Sequence, residues 1–207
     1  LGAQMFEDEV RAIVETAHLY GRKVAVHAHG ADGIVLAVRA GAESMGQGPP
    51  MDDEGLRLMR ETGAYYVPTL STVNGYIERL RNNPNAYTGE VREKIEWRIG
   101  ITGQALRRAV AAGVKIAFGT DAGVSLHGRN ADGILLLVGH GLSPMAAIQA
   151  ATVNAADLVG LAGEIGTIER GKSADIVAVR GDPLADIGVL REMNFVMARG
   201  EVHRQER

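Results

Sequence analysis

Val10, Ile13, Val14 and Ala17 recur at the i, i+3, i+4, i+7 spacing that lays one apolar stripe along a helix. Gly21 follows, the residue type that most readily takes a left-handed C-cap. Lys23-Val24-Ala25-Val26-His27 then reads as a short strand. The unit returns three times. Ile34, Val35 and Val38 predict a helix, Gly41 its cap, and 42–45 a strand. Leu56 and Met59 predict a helix, Gly63 its cap, and 64–67 a strand. Ile95, Ile99, Leu106 and Val110 predict one long helix, Gly113 its cap, and 114–118 a strand.

Helix–glycine–strand units running in one direction demand parallel strands joined by helical crossovers. The strands are short and apolar, as in a sheet covered on both faces. A doubly wound sheet and a (β/α)8 barrel both fit this pattern, and four strands make half a barrel. The third unit carries an insertion over 71–90, with Asn82-Asn83-Pro84-Asn85 as its turn cluster. After a barrel strand, such an insertion lies on the active-site face. Beyond Asp121 the pattern changes. The segment 130–138 reads as a helix with Asn130 as N-cap, and Ser143-Pro144 opens a helix to about Ala151. Asn154 is expected to cap a short helix ending at Leu158. After Gly163, Gly166 and Gly171, strands are expected over 175–180, 195–199 and 201–203. The expected division is 1–160 for the barrel part and 161–207 for part of a small β-domain.

Composition narrows the function. The chain has 207 residues, 46% hydrophobic and 23% charged, with a net charge of −3. These are ordinary globular values, which exclude a disordered tail and a supercharged nucleic-acid binder. No apolar stretch approaches the ~20 residues that span a bilayer, so neither a membrane nor a nucleic acid is an expected partner. There is no cysteine, which removes disulfides, a cysteine nucleophile and thiolate metal sites. The opening Leu1-Gly2-Ala3 has no initiator Met and no basic-then-apolar leader, so a piece of a longer, cytoplasmic protein is expected.

Catalytic groups of a barrel project from the C-terminal ends of its strands. Counting six residues past each cap glycine reaches His27, Gln47, Thr69 and Gly119, the last followed by Thr120-Asp121. His27 and His29 are two apart and point the same way on an extended chain, so they can chelate a metal or serve as hydrogen-bonded structural histidines. Asp121, in Gly119-Thr120-Asp121-Ala122-Gly123, is placed either to ligate a metal and move a proton or to order a glycine-rich turn. His127 and Arg129 lie just beyond. Arg129 is suited to hold a substrate carboxylate with both arms of its fork, although a solvated loop also accounts for the pair.

These residues are familiar as a set. Lys23-Val24-Ala25-Val26-His27-Ala28-His29-Gly30, Tyr66-Val67-Pro68-Thr69-Leu70 and Gly119-Thr120-Asp121-Ala122-Gly123 carry a resemblance that runs over nearly the whole chain. Ala147-Ile148-Gln149-Ala150-Ala151-Thr152-Val153-Asn154-Ala155-Ala156, the block from Ile165-Gly166-Thr167-Ile168 to Ser173-Ala174-Asp175, and Gly181-Asp182-Pro183-Leu184 extend it. The chain resembles the C-terminal half of the amidohydrolase superfamily, within it the imidazolonepropionase-like, metal-dependent Xaa dipeptidase (prolidase-type) group. The resemblance implies an α/β fold: a partial (β/α)8 TIM barrel contributing strands five to eight, plus part of a small C-terminal β-sandwich.

It also implies a divalent metal, zinc, one or two per intact chain. His27 matches the ligand at the end of the fifth strand. Asp121 matches the eighth-strand aspartate, which binds metal and passes a proton to the leaving amine. His29, His127 and Arg129 are then the expected substrate contacts, and the intact protein is expected to be a homo-oligomer acting on a small molecule. Its reaction would cleave a C–N bond of a dipeptide or N-acyl amino acid, or of a cyclic amide. Two departures stand out. The family's first-strand His-x-His and fourth-strand Lys have no counterpart here, and in Ala42-Glu43-Ser44-Met45-Gly46-Gln47-Gly48 the residue Gln47 stands where the family carries a histidine ligand. That second departure puts the second metal in doubt and raises a non-catalytic relative as the alternative.

Overall fold

The four predicted units build one parallel sheet. The computed structural model describes residues 2–47 and 51–206, so Gly48 of the motif above lies outside the described residues. Strands β1 (Ala25–Ala28), β2 (Ser44–Gln47), β3 (Tyr65–Val67) and β4 (Lys115–Ile116) lie side by side in chain order. The register pairs Val26 with Met45, Met45 with Tyr66, and Tyr66 with Ile116. Helix α1 (Glu7–Leu19) precedes the sheet, while α2 (Ala31–Ala40) and α3 (Asp53–Thr62) make the first two crossovers. Gly41 and Gly63 close α2 and α3 in the left-handed region, at φ 102° and 75°. An alanine there would have room for its Cβ but would have to hold a left-handed backbone that L side chains resist. Ile34 and Val38 of α2, Met45 of β2, Met59 of α3 and Tyr66 of β3 are fully buried together. Each such side chain contributes about 1.5–3 kcal/mol of burial free energy.

Between β3 and β4 the chain departs from its local pattern in two ways. The insertion holds a helix of its own, α4 (Thr72–Asn82), before the asparagine-rich turn. The single long helix expected over 95–110 is two, α5 (Gly89–Gly100) and α6 (Gln104–Ala111). The break falls at Gly103, which has φ 77° and packs so closely on His140 that a Cβ would lie 2.1 Å from its Nδ1. Ala105, Leu106 and Ala109 of α6 join the main core while α5 packs on α4, yet apolar spacing continues across the break, so periodicity alone could not reveal it.

Helices α7 (Ala131–Gly139), α8 (Pro144–Ala151) and α9 (Val153–Leu158) follow. Ser143 caps α8 as expected, its hydroxyl accepting from Ala146 N at 3.2 Å. Asn130 precedes α7 but makes no side-chain cap bond. Asn154 lies inside α9 and donates instead to the Ile116 carbonyl at 2.9 Å, tying the helix to β4. The tail forms an antiparallel sheet in the order β5 (Ile176–Val179), β6 (Met193–Ala198), β7 (Glu201–Gln205). No helix among the described residues is long and apolar enough to cross a membrane.

Candidate active site

The ends of three neighbouring segments share an uncommon backbone. Gln47, Thr69 and Asp121 have φ of 72°, 43° and 53°, and among the described residues Arg199 is the sole other non-glycine with positive φ. Such conformations cost free energy for L-residues and persist where surrounding contacts enforce them, commonly at functional sites. Two of the three positions were reached by counting from the cap glycines, and Asp121 lies two residues past the fourth count.

The side chains at these ends meet. Gln47 is buried, 7% exposed, whereas Asp121 faces solvent. The Gln47 Nε2 amide donates to Asp121 Oδ2 at 2.8 Å, and the Gln47 carbonyl oxygen of the main chain accepts from the Tyr66 hydroxyl at 2.8 Å. Burial pushes the Tyr66 phenol well above its ordinary value, partly opposed by the Arg98 charge. The next strand contributes the histidines. His27 pairs in register with Gly46 and Ala28 with Gln47, which sets the H-x-H segment beside the glutamine. The two imidazoles contact edge to face, their centroids 4.6 Å apart at 87°. Burial, then the Arg98 charge, then His27 hold His29 down at about 4.

Arg98, on α5, joins these pieces. Its Nη2 donates to Gln47 Oε1 and its Nη1 lies 2.9 Å from His29 Nδ1. Burial lowers its pKa, with Tyr76, Tyr66 and Asp121 acting in the opposite sense. The sequence reading missed Arg98. The available signal was its place on the apolar side of α5, three residues after the buried Ile95. A cavity of about 610 Å³ opens against His29, Tyr76, Trp97 and Arg98. The Thr69 hydroxyl and Arg98 Nε are buried without a hydrogen-bond partner among the described residues.

Two predicted substrate contacts stand apart from this cluster. His127 is exposed in the loop after Asp121. Arg129 has its fork engaged by Asp132, with Nε and Nη2 at 3.0 and 2.9 Å from Oδ2, and Glu78 lies 3.6 Å from Nη1. Arg191 Nε donates to the other Asp132 oxygen at 2.7 Å. A substrate carboxylate would have to displace Asp132 to use Arg129. Burial alone would raise the Asp132 pKa, but hydrogen bonds and charge from Arg191 and Arg129 outweigh it and lower the value from 3.8. A depressed folded value contributes stability above the unfolded pKa, lost as pH falls through the folded one. Asp132→Asn is therefore expected to cost about 2 kcal/mol at pH 7, and the gap to wild type should close below pH ~4. Thermal melts of both proteins across pH 3–7 would show it, and a gap independent of pH would contradict it.

Metal binding divides the donors. His27 offers an exposed imidazole, and Asp121 keeps Oδ1 outside its bond to Gln47. Imidazole and carboxylate are both donor types that a divalent ion accepts. Gln47 does not suit one, since its amide oxygen accepts from Arg98 and its nitrogen donates to Asp121. Among the described residues no cluster of three or more His, Asp or Glu side chains has an arrangement that could hold a metal ion.

A parallel α/β sheet with histidine, glutamine and aspartate gathered at its strand ends sets the frame for comparison with known proteins. Residues 2–203 match the amidohydrolase family, and the chain belongs to it. It is 35% identical over 196 residues to an ochratoxinase of Aspergillus niger, covering 94% of this chain and 40% of that protein. It is 28% identical over 204 residues to an imidazolonepropionase of Sphingopyxis alaskensis, covering 96% and 44%. The crystal structure of a Xaa-Pro dipeptidase with methionine bound in its active site superposes with a TM-score of 0.92 at 42% identity, over 97% of this chain and 49% of that one. The chain thus spans less than half the length of these relatives.

Proposed function

We propose that this chain is the C-terminal half of a metal-dependent amidohydrolase that cleaves an amide C–N bond of a dipeptide or N-acyl amino acid. In this reading 1–160 supply strands five to eight of a (β/α)8 barrel and 161–207 part of a β-sandwich. The observation that carries it is Asp121, held in a left-handed backbone in the loop after β4, its carboxylate bonded at 2.8 Å to Gln47. The likeness to an Xaa-Pro dipeptidase and an ochratoxinase supports the amide substrate.

His27 and Asp121 would hold one divalent ion, zinc, with further ligands from outside this chain. Bound there, such an ion lowers the pKa of water and polarises a carbonyl. Asp121 takes the proton of the attacking water as the new C–O bond forms, and returns it to the nitrogen as the C–N bond breaks. Gln47 keeps the carboxylate oriented for both transfers. His29, held neutral at physiological pH, lines the cavity beside Arg98 and offers a hydrogen-bonding nitrogen to substrate without adding charge.

The engaged amide of Gln47 favours a second reading, a relative that has given up catalysis with its metal. Mass-spectrometric metal analysis of the full-length protein, paired with hydrolysis of a panel of Xaa-Pro dipeptides and N-acyl amino acids, separates the two. One zinc per chain and turnover abolished by a chelator are expected. No metal and no turnover would establish the non-catalytic relative.

A further inference from the structure

Position 47 is where the family places a histidine ligand, yet the side chain there is already engaged at both ends, its oxygen by a cation. Gln47 Oε1 accepts from Arg98 Nη2, and Gln47 Nε2 donates to Asp121 Oδ2 at 2.8 Å. The guanidinium that does this is itself unusual. Arg98 is largely buried on α5, its Nε has no partner, and no carboxylate lies within ion-pair distance of it among the described residues. A buried cation without a counter-ion is costly, so the fold holds it where a negative charge is one amide away. That charge is Asp121, which is among the groups that favour the ionised guanidinium.

We propose that the Arg98–Gln47 pair stands in for the second metal ion: Arg98 supplies a fixed positive charge, Gln47 transmits it to Asp121, and together they exclude a cation from position 47. The inference rests on the reading of Asp121 as the proton-carrying residue of an amidohydrolase. Arg98 is here a positioning residue. It aims the Gln47 amide, which aims the carboxylate. A guanidinium is charged at every physiological pH and needs no supply from solution, so the arrangement keeps one charge beside Asp121 whatever the metal concentration.

The inference makes restoring the histidine alone insufficient. A histidine at 47 would meet the same guanidinium, which would donate to the ring nitrogen a metal needs and repel a divalent ion beside it. Metal content after zinc loading and desalting would be compared for wild type, Gln47→His, Arg98→Met, Arg98→Gln and the two double variants that pair Gln47→His with each Arg98 change. The full-length protein would be used throughout, with thermal melting to confirm that each variant folds.

Both single changes at Arg98 and Gln47→His should leave the wild-type metal count unaltered, and a double variant should hold one more zinc per chain than wild type. A gain of one zinc in Gln47→His alone would overturn the proposal, because Arg98 would then not exclude the ion. Folded double variants with no gain would overturn it equally. The wild-type count tests the proposed function separately. Zero metal there would sink the hydrolase reading, while the difference between single and double variants still judges the pair.

Discussion

Asp121→Asn should lower amide hydrolysis by about a thousandfold while leaving the melting temperature near that of wild type. General acid–base groups contribute typically 10²–10⁴-fold, and Asp121 is asked to act in both senses within one turnover. Asparagine isolates this role with little structural cost. Its side chain can still present an oxygen to Gln47 Nε2, preserving the 2.8 Å bond. The backbone at 121, with φ 53°, lies in the left-handed region that asparagine tolerates nearly as well as aspartate and better than most residues. The carboxylate also faces solvent, so little packing depends on it. Single-turnover rates of the zinc-loaded full-length protein, measured beside a thermal melt, give the two numbers needed. Activity within tenfold of wild type, with the fold intact, would remove Asp121 from the chemistry.

Gly75→Ala should impair the site from the outside of it. Gly75 lies on the buried side of α4, and a Cβ built there would sit 2.0 Å from the Val124 carbonyl oxygen and 2.7 Å from its carbon. Both atoms are main chain, so no side-chain rotation can relieve the overlap. Either α4 or the 121–125 loop must move. The loop is anchored to the start of α4 by the Ser71 hydroxyl, which donates to the Thr120 carbonyl at 2.7 Å, so displacement is passed directly to Asp121. Overpacking of this kind costs about 1–3 kcal/mol. A misplacement near 1 Å at a catalytic group costs about 10²-fold in rate. The expected result is a lowered denaturation midpoint together with turnover reduced about a hundredfold. Arg81→Ala, at an exposed position near the end of the same helix, is the control and should match wild type in both. Unchanged stability and turnover in Gly75→Ala would mean that the α4 contact does not position the loop.

The two substitutions divide the site into what could be read locally and what could not. His27 and Gln47 were reachable from sequence because a glycine after the preceding helix and a short apolar run mark where each strand lies, and Asp121 because it follows the fourth such run within a glycine-flanked segment. Arg98 was not reachable in the same way. Its partners Gln47 and His29 are 51 and 69 residues away, and its spacing from Ile95 assigns a helix face without naming what that face meets. Arg129 shows the converse. Its position beyond a strand end suggested substrate binding, but its fork lies on Asp132 three residues later, a local pairing that competes with the proposed role.

Apart from α4 and the division of α5 from α6, the order of helices and strands, the parallel sheet they require, and the polar residues near its strand ends followed from the sequence by itself, because hydrophobic period and glycine caps act over a few residues. Tertiary structure decided the rest. It split the long apolar stripe at Gly103, where the approach of His140 leaves no room for a Cβ. It made Asn154 a strap to β4 rather than a helix cap, and it brought a buried guanidinium to the amide that holds Asp121. Each of these depends on which surfaces meet when helices dock on the sheet. That is a matter of three-dimensional packing between segments distant in the chain, and no local period encodes it.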